Sequence, residues 1–77
     1  MNKDRRKKIA DLQERIEDIK NELEEIMNEE QDARDNLPDN LHDFEKAGKM
    51  DDVIGSIEYA IGNIDEAIEN LEEAVSI

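Results

Sequence analysis

A seven-residue unit repeated three times between Ile54 and Ala74 constrains the fold more than any other feature of this chain. The units read I-G-S-I-E-Y-A, I-G-N-I-D-E-A and I-E-N-L-E-E-A, with apolar residues at the first, fourth and seventh places. Apolar residues spaced alternately by three and four positions lie on one face of an α-helix, so the repeat predicts an amphipathic helix. Because the stripe is three places wide, we expect this helix to be contacted from more than one side.

The first half of the chain carries a matching heptad pattern. Its apolar positions are Ile9, Leu12, Ile16, Ile19, Leu23 and Ile26. We predict a first helix over about residues 3–35 and a second over about 50–76. Residues 36–49 are predicted to form a turn or short helix, because the residue before Pro38 avoids the α-helical conformation. The sequence allows residues 38–47 to be either separate from the second helix or continuous with it.

The two heptad patterns fit each other as an antiparallel hairpin in which the numbers of facing residues add up to about 84. This register places Lys20 beside Asp65 and Arg34 beside Asp51, and opposite charges at these flanking positions favour the antiparallel orientation. It also brings the basic residues 3–8 beside the acidic C-terminal end, where each cluster neutralises the other. The predicted fold is therefore all-α, with residues 1–77 forming a single antiparallel two-helix coiled-coil hairpin.

One edge of the second helix remains without an apolar partner inside this hairpin. It consists of Val53, Ala60, Ala67 and Ala74. We predict that it is a self-association edge and that two hairpins pack there as a homodimeric four-helix bundle. The alternative is a monomer that uses the same edge to bind a foreign protein.

The positions of the aromatic residues and glycines predict which parts of the outer surface could contact a partner. Phe44 is expected to cover the end of the hairpin core. Tyr59 points away from the seam and is a candidate aromatic anchor for a protein partner. Gly48, Gly55 and Gly62 recur every seven residues on one outer stripe, where they either admit a close partner or are simply tolerated.

The charge balance predicts the class of partner. Acidic residues outnumber basic residues by 23 to 10, and the resulting net charge of −13 repels nucleic acid and anionic membranes but attracts basic protein surfaces. We interpret one stripe of the first helix as a partner-binding acidic face, made of Asp11, Glu14, Glu17, Asp18, Glu24, Glu25 and Asp32. Its carboxylates, about 5–6 Å apart, resemble phosphates along a nucleic-acid strand. A solvated coiled-coil exterior is the plainer interpretation.

No pattern in the sequence indicates catalysis, a metal or a cofactor. The chain has no Cys and a single His, His42, which we interpret as a solvated loop residue. Catalytic triads, phosphate-binding glycine loops and metal-binding histidine pairs are all missing, so we expect a protein that is not an enzyme. No apolar run is long enough for a membrane span or a signal sequence, and the cytoplasm is the expected location.

The segments N-L-P-D-N-L at 36–41 and A-I-G-N-I-D-E-A-I-E-N-L-E-E-A at 60–74 resemble small acidic helical-hairpin proteins of phages and prophages of Gram-positive bacteria. The resemblance covers nearly the whole chain, although Gly55 and Gly62 stand where charged residues would be expected. It implies an anti-defence role, because such proteins often inhibit host nucleic-acid-binding defences, anti-CRISPR proteins among them. The prediction is an inhibitor that blocks the basic nucleic-acid-binding surface of a host defence protein. The alternative is a structural or scaffolding coiled coil that acts through self-association.

Overall fold

Two long helices make up the protein. A computed structural model describes the backbone of all 77 residues and every side chain except those of Leu41 and His42. The predicted solvation of His42 lies outside the described residues, whereas its predicted loop position was wrong, because its backbone is helical. Helix α1 spans Lys3–Asp35 and helix α2 spans Leu41–Ser76. The two helices pack against each other along the chain, which confirms the predicted all-α helical hairpin. The radius of gyration is 17.7 Å, compared with about 11.5 Å for a compact domain of this length.

Helix α1 is closed at both ends by asparagine side chains. At its start, Asn2 accepts a hydrogen bond from the backbone N–H of Arg5 at 2.8 Å. At its end, the Asn36 side chain donates to the backbone carbonyl of Asp32 at 2.7 Å. Asn36 therefore caps the C-terminus of α1. Pro38 follows two residues later, in keeping with its inability to continue a helix.

Helix α2 begins at Leu41, not near residue 50, so the predicted boundary was wrong and residues 41–47 are continuous with the second helix. Asn40 explains the early start, because its side-chain oxygen accepts from the backbone N–H of Asp43 at 2.9 Å. Such a cap satisfies one of the unpaired donors at a helix start. Gly48 costs about 1 kcal/mol relative to Ala, which is not enough to interrupt a helix capped in this way.

Two ion pairs define the antiparallel register. The Lys20 Nζ lies 2.6 Å from Asp65 Oδ1, and the Arg34 Nε lies 2.9 Å from Asp51 Oδ1. Both pairs were predicted, and in both the residue numbers add up to 85, in agreement with the expected sum of about 84. The Gln13 side chain also donates to the backbone carbonyl of Ile68 at 3.3 Å, which holds the helices together nearer the chain termini.

In this register one helix extends beyond the other at each end of the hairpin. Residue 35 of α1 lies level with residue 50, so the first turns of α2 extend beyond α1. Phe44 is 74% exposed there, and its predicted role in covering the core was wrong. At the other end, residues 3–7 of α1 extend beyond α2. The basic cluster makes no ion pair with the acidic C-terminus among the described side chains, so the predicted side-by-side neutralisation is not formed through contacts.

The core between the helices is shallow. Among the described hydrophobic side chains Ile54 alone is fully buried, with 8% of its surface exposed. Heptad positions of α1 are counted from Ile9. Ile16 and Leu23, at the first position, are half-buried, and so are Gln13 and Met27, at the fifth position. The fourth position is half-exposed, at 46% in Leu12, 51% in Ile19 and 50% in Ile26. Helix α1 is therefore rotated relative to the expected seam, and one row of its apolar residues faces outward.

Candidate protein-binding surfaces

The acidic face defined above lies on the side of α1 that points away from α2. Six of its seven carboxylate side chains are exposed, and Glu24 is half-buried. Between residues 10 and 32 the one exposed cation of α1 is Arg15, which lies four residues after Asp11 and three before Asp18. The structure thus places the predicted acidic residues together along one side of α1, bordered by Arg15, with neighbours about 5–6 Å apart along the helix.

Two basic side chains near this strip, Lys20 and Arg34, are engaged with α2. The pKa of Lys20 is raised, chiefly by its hydrogen bond with Asp65; partial burial opposes this, and the attraction of Asp65, Glu24 and Glu17 adds to it. The pKa of Arg34 is likewise raised, chiefly by its hydrogen bond with Asp51. Because these two cations are held by carboxylates of α2, Arg15 is the cation that remains beside the acidic face.

An apolar strip runs along the opposite flank of the hairpin. When heptads are counted from Ile9 in α1 and from Ile54 in α2, both ion pairs join fifth positions, and these pairs lie on one flank of the hairpin. The fourth position of α1 and the seventh position of α2 therefore border the opposite flank. We call this strip the open apolar side; it consists of Leu12, Ile19 and Ile26 from α1 and Val53, Ala60, Ala67 and Ala74 from α2. In the α2 row, Val53 and Ala67 are exposed, whereas Ala60 and Ala74 are half-buried.

Only the α2 half of this side was predicted from the sequence. A strict heptad assigns both the first and fourth positions to the intramolecular seam, so Leu12, Ile19 and Ile26 were all placed in the core. The uncharged residues Gln13 and Met27 were the available signal, because fifth positions that face solvent usually carry charge. Their half-burial shows that α1 packs through its first and fifth positions.

Tyr59 stands in an uncharged patch on the outer face of α2. It is 75% exposed, which agrees with its predicted outward direction. The residues three and four positions away on either side are Gly55, Ser56, Gly62 and Asn63. A Cβ atom added at Gly55 or Gly62 would meet no other atom within 4 Å, so the packing of the hairpin itself does not require glycine at these places.

A polar depression of about 340 Å³ lies at the turn, bordered by Arg34, Leu37, Pro38, Asp43 and Phe44 among others. It is open to solvent, and its one guanidinium is already paired with Asp51. Among the described residues, no three His, Cys, Asp or Glu side chains are grouped so that they could hold a metal ion. Within the same part of the chain, neither helix contains a stretch apolar and long enough to cross a membrane.

No protein-family model, curated protein or solved structure matches the chain significantly. The resemblance to small acidic phage proteins therefore stays a prediction that depends on residues 36–41 and 60–74. A functional proposal therefore depends on the acidic face, the open apolar side and the patch around Tyr59.

Proposed function

We propose that the protein is a non-enzymatic inhibitor that uses its acidic face to occupy the basic nucleic-acid-binding surface of another protein. The observation that supports this most directly is the strip of seven carboxylates on α1, six of them exposed, which Arg15 alone borders as an exposed cation between residues 10 and 32. The resemblance to phage proteins adds the cellular setting of the proposal, a host defence protein in the host-cell cytoplasm as the target.

The physical basis of this proposal is electrostatic competition. A surface built to bind nucleic acid presents Lys and Arg at phosphate spacing, and these side chains bind carboxylates as well as phosphates. A helix carrying carboxylates every three or four residues can satisfy several such cations at once. Binding of this kind weakens as salt screens the charges, with a Debye length of about 10 Å at 0.1 M and about 3 Å at 1 M.

The acidic face is tested by moving charge without changing its total. One variant reverses Glu17, Asp18, Glu24 and Glu25 to Lys on the acidic face. The matched control reverses Glu45, Asp52, Glu66 and Glu73 to Lys on the outer face of α2, which gives the same net charge. Each protein is titrated against an RNA-guided bacterial nuclease carrying a fluorescent DNA oligonucleotide, at low and at high salt.

The wild type and the α2 control are expected to displace the oligonucleotide at low salt, and the acidic-face variant is expected to fail. Displacement by the wild type should weaken strongly at high salt. Equal loss of activity in both variants would show that total charge alone matters. Displacement that does not change with salt would exclude the electrostatic mechanism.

A second candidate function is a structural or scaffolding coiled coil that acts through self-association. The half-exposed Leu12, Ile19 and Ile26 support it, because the hairpin covers only about half of the surface of these apolar side chains. In this proposal two hairpins form a homodimeric four-helix bundle through the open apolar side. Light scattering should then give twice the chain mass of 8.9 kDa. Ala67→Glu should abolish self-association and function, whereas the acidic-face variant should keep both.

A further inference from the structure

The accessible surface of the hairpin is large for its mass. It amounts to 6079 Å², whereas a compact protein of 8.9 kDa exposes about 4,800 Å². The excess, on the order of 1,300 Å², exceeds the roughly 800 Å² that each partner contributes to a standard protein interface. Since the open apolar side is part of this surface, a second copy of the chain is a partner of sufficient size to cover it.

Charges beside the open apolar side specify how a second copy would dock. The seventh heptad positions of α1 border this side, and they are Lys8, Arg15, Glu22 and Glu29, all of them exposed. Two cations are thus followed by two carboxylates at equal spacing. If two α1 helices run antiparallel, Lys8 meets Glu29 and Arg15 meets Glu22 of the second copy, and each pair occurs twice. Opposite charges at such flanking positions select orientation and register.

The apolar residues of α1 select the same register. When Arg15 faces Glu22 of the second copy, Ile19 faces Ile19 and Leu12 faces Ile26. Charged and apolar positions therefore agree on an axis at residues 18–19. A parallel arrangement would instead stack Lys8 on Lys8 and Arg15 on Arg15, and like charges placed directly opposite each other are destabilising.

Helix α2 places this axis independently. The ion pairs show that facing residues add up to 85, so residue 66 of α2 lies level with Ile19. Ala67 is one position away, a displacement of about 1.5 Å along the helix. A two-fold axis there brings Ala67 against Ala67 and Ala60 against Ala74 of the second copy. Small side chains at these places permit close approach of the two α2 helices.

The basic N-terminal cluster obtains a partner in the same arrangement. Helix α1 spans Lys3–Asp35 and is centred on residue 19, so each end of it lies over the opposite end in the second copy. Residues 3–8 contain five cations and one carboxylate, and residues 29–35 contain four carboxylates and one cation. The cations that find no ion-pair partner in their own hairpin thus lie along an acidic segment of the second copy.

We propose that two hairpins dock through their open apolar sides about a two-fold axis at Ile19 and Ala67, with α1 antiparallel to α1 and α2 antiparallel to α2 of the second copy. This inference deepens the four-helix bundle named above and rests on it. It does not depend on the acidic face, because that face points away from the interface.

Single cysteines test the axis, since the chain contains no Cys of its own. The variants are Ile19→Cys, Leu12→Cys and Ile26→Cys, with Ser56→Cys on the outer face of α2 as the control. Under mild oxidation Ile19→Cys is expected to form a disulfide-linked dimer by itself. Leu12→Cys and Ile26→Cys should not, because each would lie about 21 Å from its own copy, beyond the reach of a disulfide. An equal mixture of these two should cross-link.

The possible outcomes distinguish failure of the proposed two-fold axis from failure of the four-helix bundle itself. Self-linking of all three interface variants would indicate parallel α1 helices and overturn the proposed axis. A dimer mass without any cross-link would place α1 against α2 of the second copy, which overturns the axis but leaves the bundle standing. A mass of 8.9 kDa for the wild type would overturn both. Circular dichroism of each variant checks that the helices are retained.

Charge exchange provides a second test that needs no cross-link. Arg15→Glu places two carboxylates opposite each other at both symmetric sites and should weaken self-association roughly tenfold. The double variant Arg15→Glu with Glu22→Arg restores opposite charges across the axis and should recover the wild-type dissociation constant in sedimentation equilibrium. If the double variant associates no better than the single one, Arg15 and Glu22 do not face each other.

Discussion

At the scale of single residues, the ion pairs of Lys20 and Arg34 determine orientation more than stability. Exposed ion pairs contribute little to the free energy of unfolding, because solvent screens them and long side chains lose freedom. They contribute to the choice of register, since in the observed one both cations of α1 lie beside carboxylates of α2. By contrast, Gly55 and Gly62 weaken α2, and a Cβ added at either would meet no other atom of the hairpin within 4 Å.

The Lys20–Asp65 pair predicts a dependence of stability on alkaline pH. The pKa of Lys20 is raised in the folded state by Asp65 above its ordinary value of 10.5. The stabilisation is therefore fully present below pH 10.5 and is lost as the pH rises through the folded-state pKa. Denaturant unfolding at fixed protein concentration should show the wild type more stable than Lys20→Met at neutral pH. A difference in the free energy of unfolding between wild type and Lys20→Met that persists at a pH well above 10.5 would contradict this assignment.

Replacing the outer glycines should stabilise the protein. Gly55→Ala and Gly62→Ala add a Cβ that meets no atom within 4 Å, and each should raise the free energy of unfolding by about 0.5–1 kcal/mol. Thermal unfolding followed by circular dichroism measures this, with Ser56→Ala as a control for a neighbouring site. If such variants are more stable but lose activity, the patch around Tyr59 is a contact surface that requires small residues.

At the scale of helices, the heptad patterns were sufficient to predict two helices, their antiparallel orientation and both ion pairs. Two features escaped them. The start of α2 depends on whether Asn40 can cap it in spite of Gly48, which is a balance of about 1 kcal/mol. The rotation of α1 depends on how Met27 and Gln13 pack against α2, and a heptad pattern does not contain that information. The acidic residues were predictable as a strip because helix periodicity alone places them.

The cap at Asn40 predicts how the first turns of α2 are held. Asn40→Ala removes the acceptor for the backbone N–H of Asp43 and should reduce stability by about 1 kcal/mol. Faster amide hydrogen exchange should be confined to residues 41–49, which extend beyond α1. The control is Asn63→Ala on the exposed middle of α2, where no cap is lost. Equal effects of the two substitutions would show that Asn40 does not set the start of the helix.

At the scale of the whole molecule, negative charge is in excess along nearly the entire length. The net charge is −13, and the molecule measures 60 × 15 × 10 Å. Self-repulsion in so charged a protein opposes the compact state. The two ion pairs observed between the helices offset only a small part of this repulsion. The remaining repulsion is reduced by screening from dissolved ions.

Added salt should therefore stabilise the protein. Raising sodium chloride from about 0.02 M to about 0.5 M screens repulsion between carboxylates and should raise the midpoint of thermal unfolding at neutral pH. The variant with Glu45, Asp52, Glu66 and Glu73 reversed to Lys, whose net charge changes from −13 to −5, should show a smaller rise. A midpoint that falls with salt would mean that attractive pairs outweigh the repulsion.

The elongated shape gives the molecule the character of a short polyelectrolyte. A net charge of −13 along a 60 Å axis corresponds to one charge per about 4.6 Å, close to the roughly 3.4 Å of a single strand of duplex DNA. A rod of this charge density gathers counterions in solution. A basic protein that binds along it would release those ions, so the entropy of the released cations would contribute to the affinity.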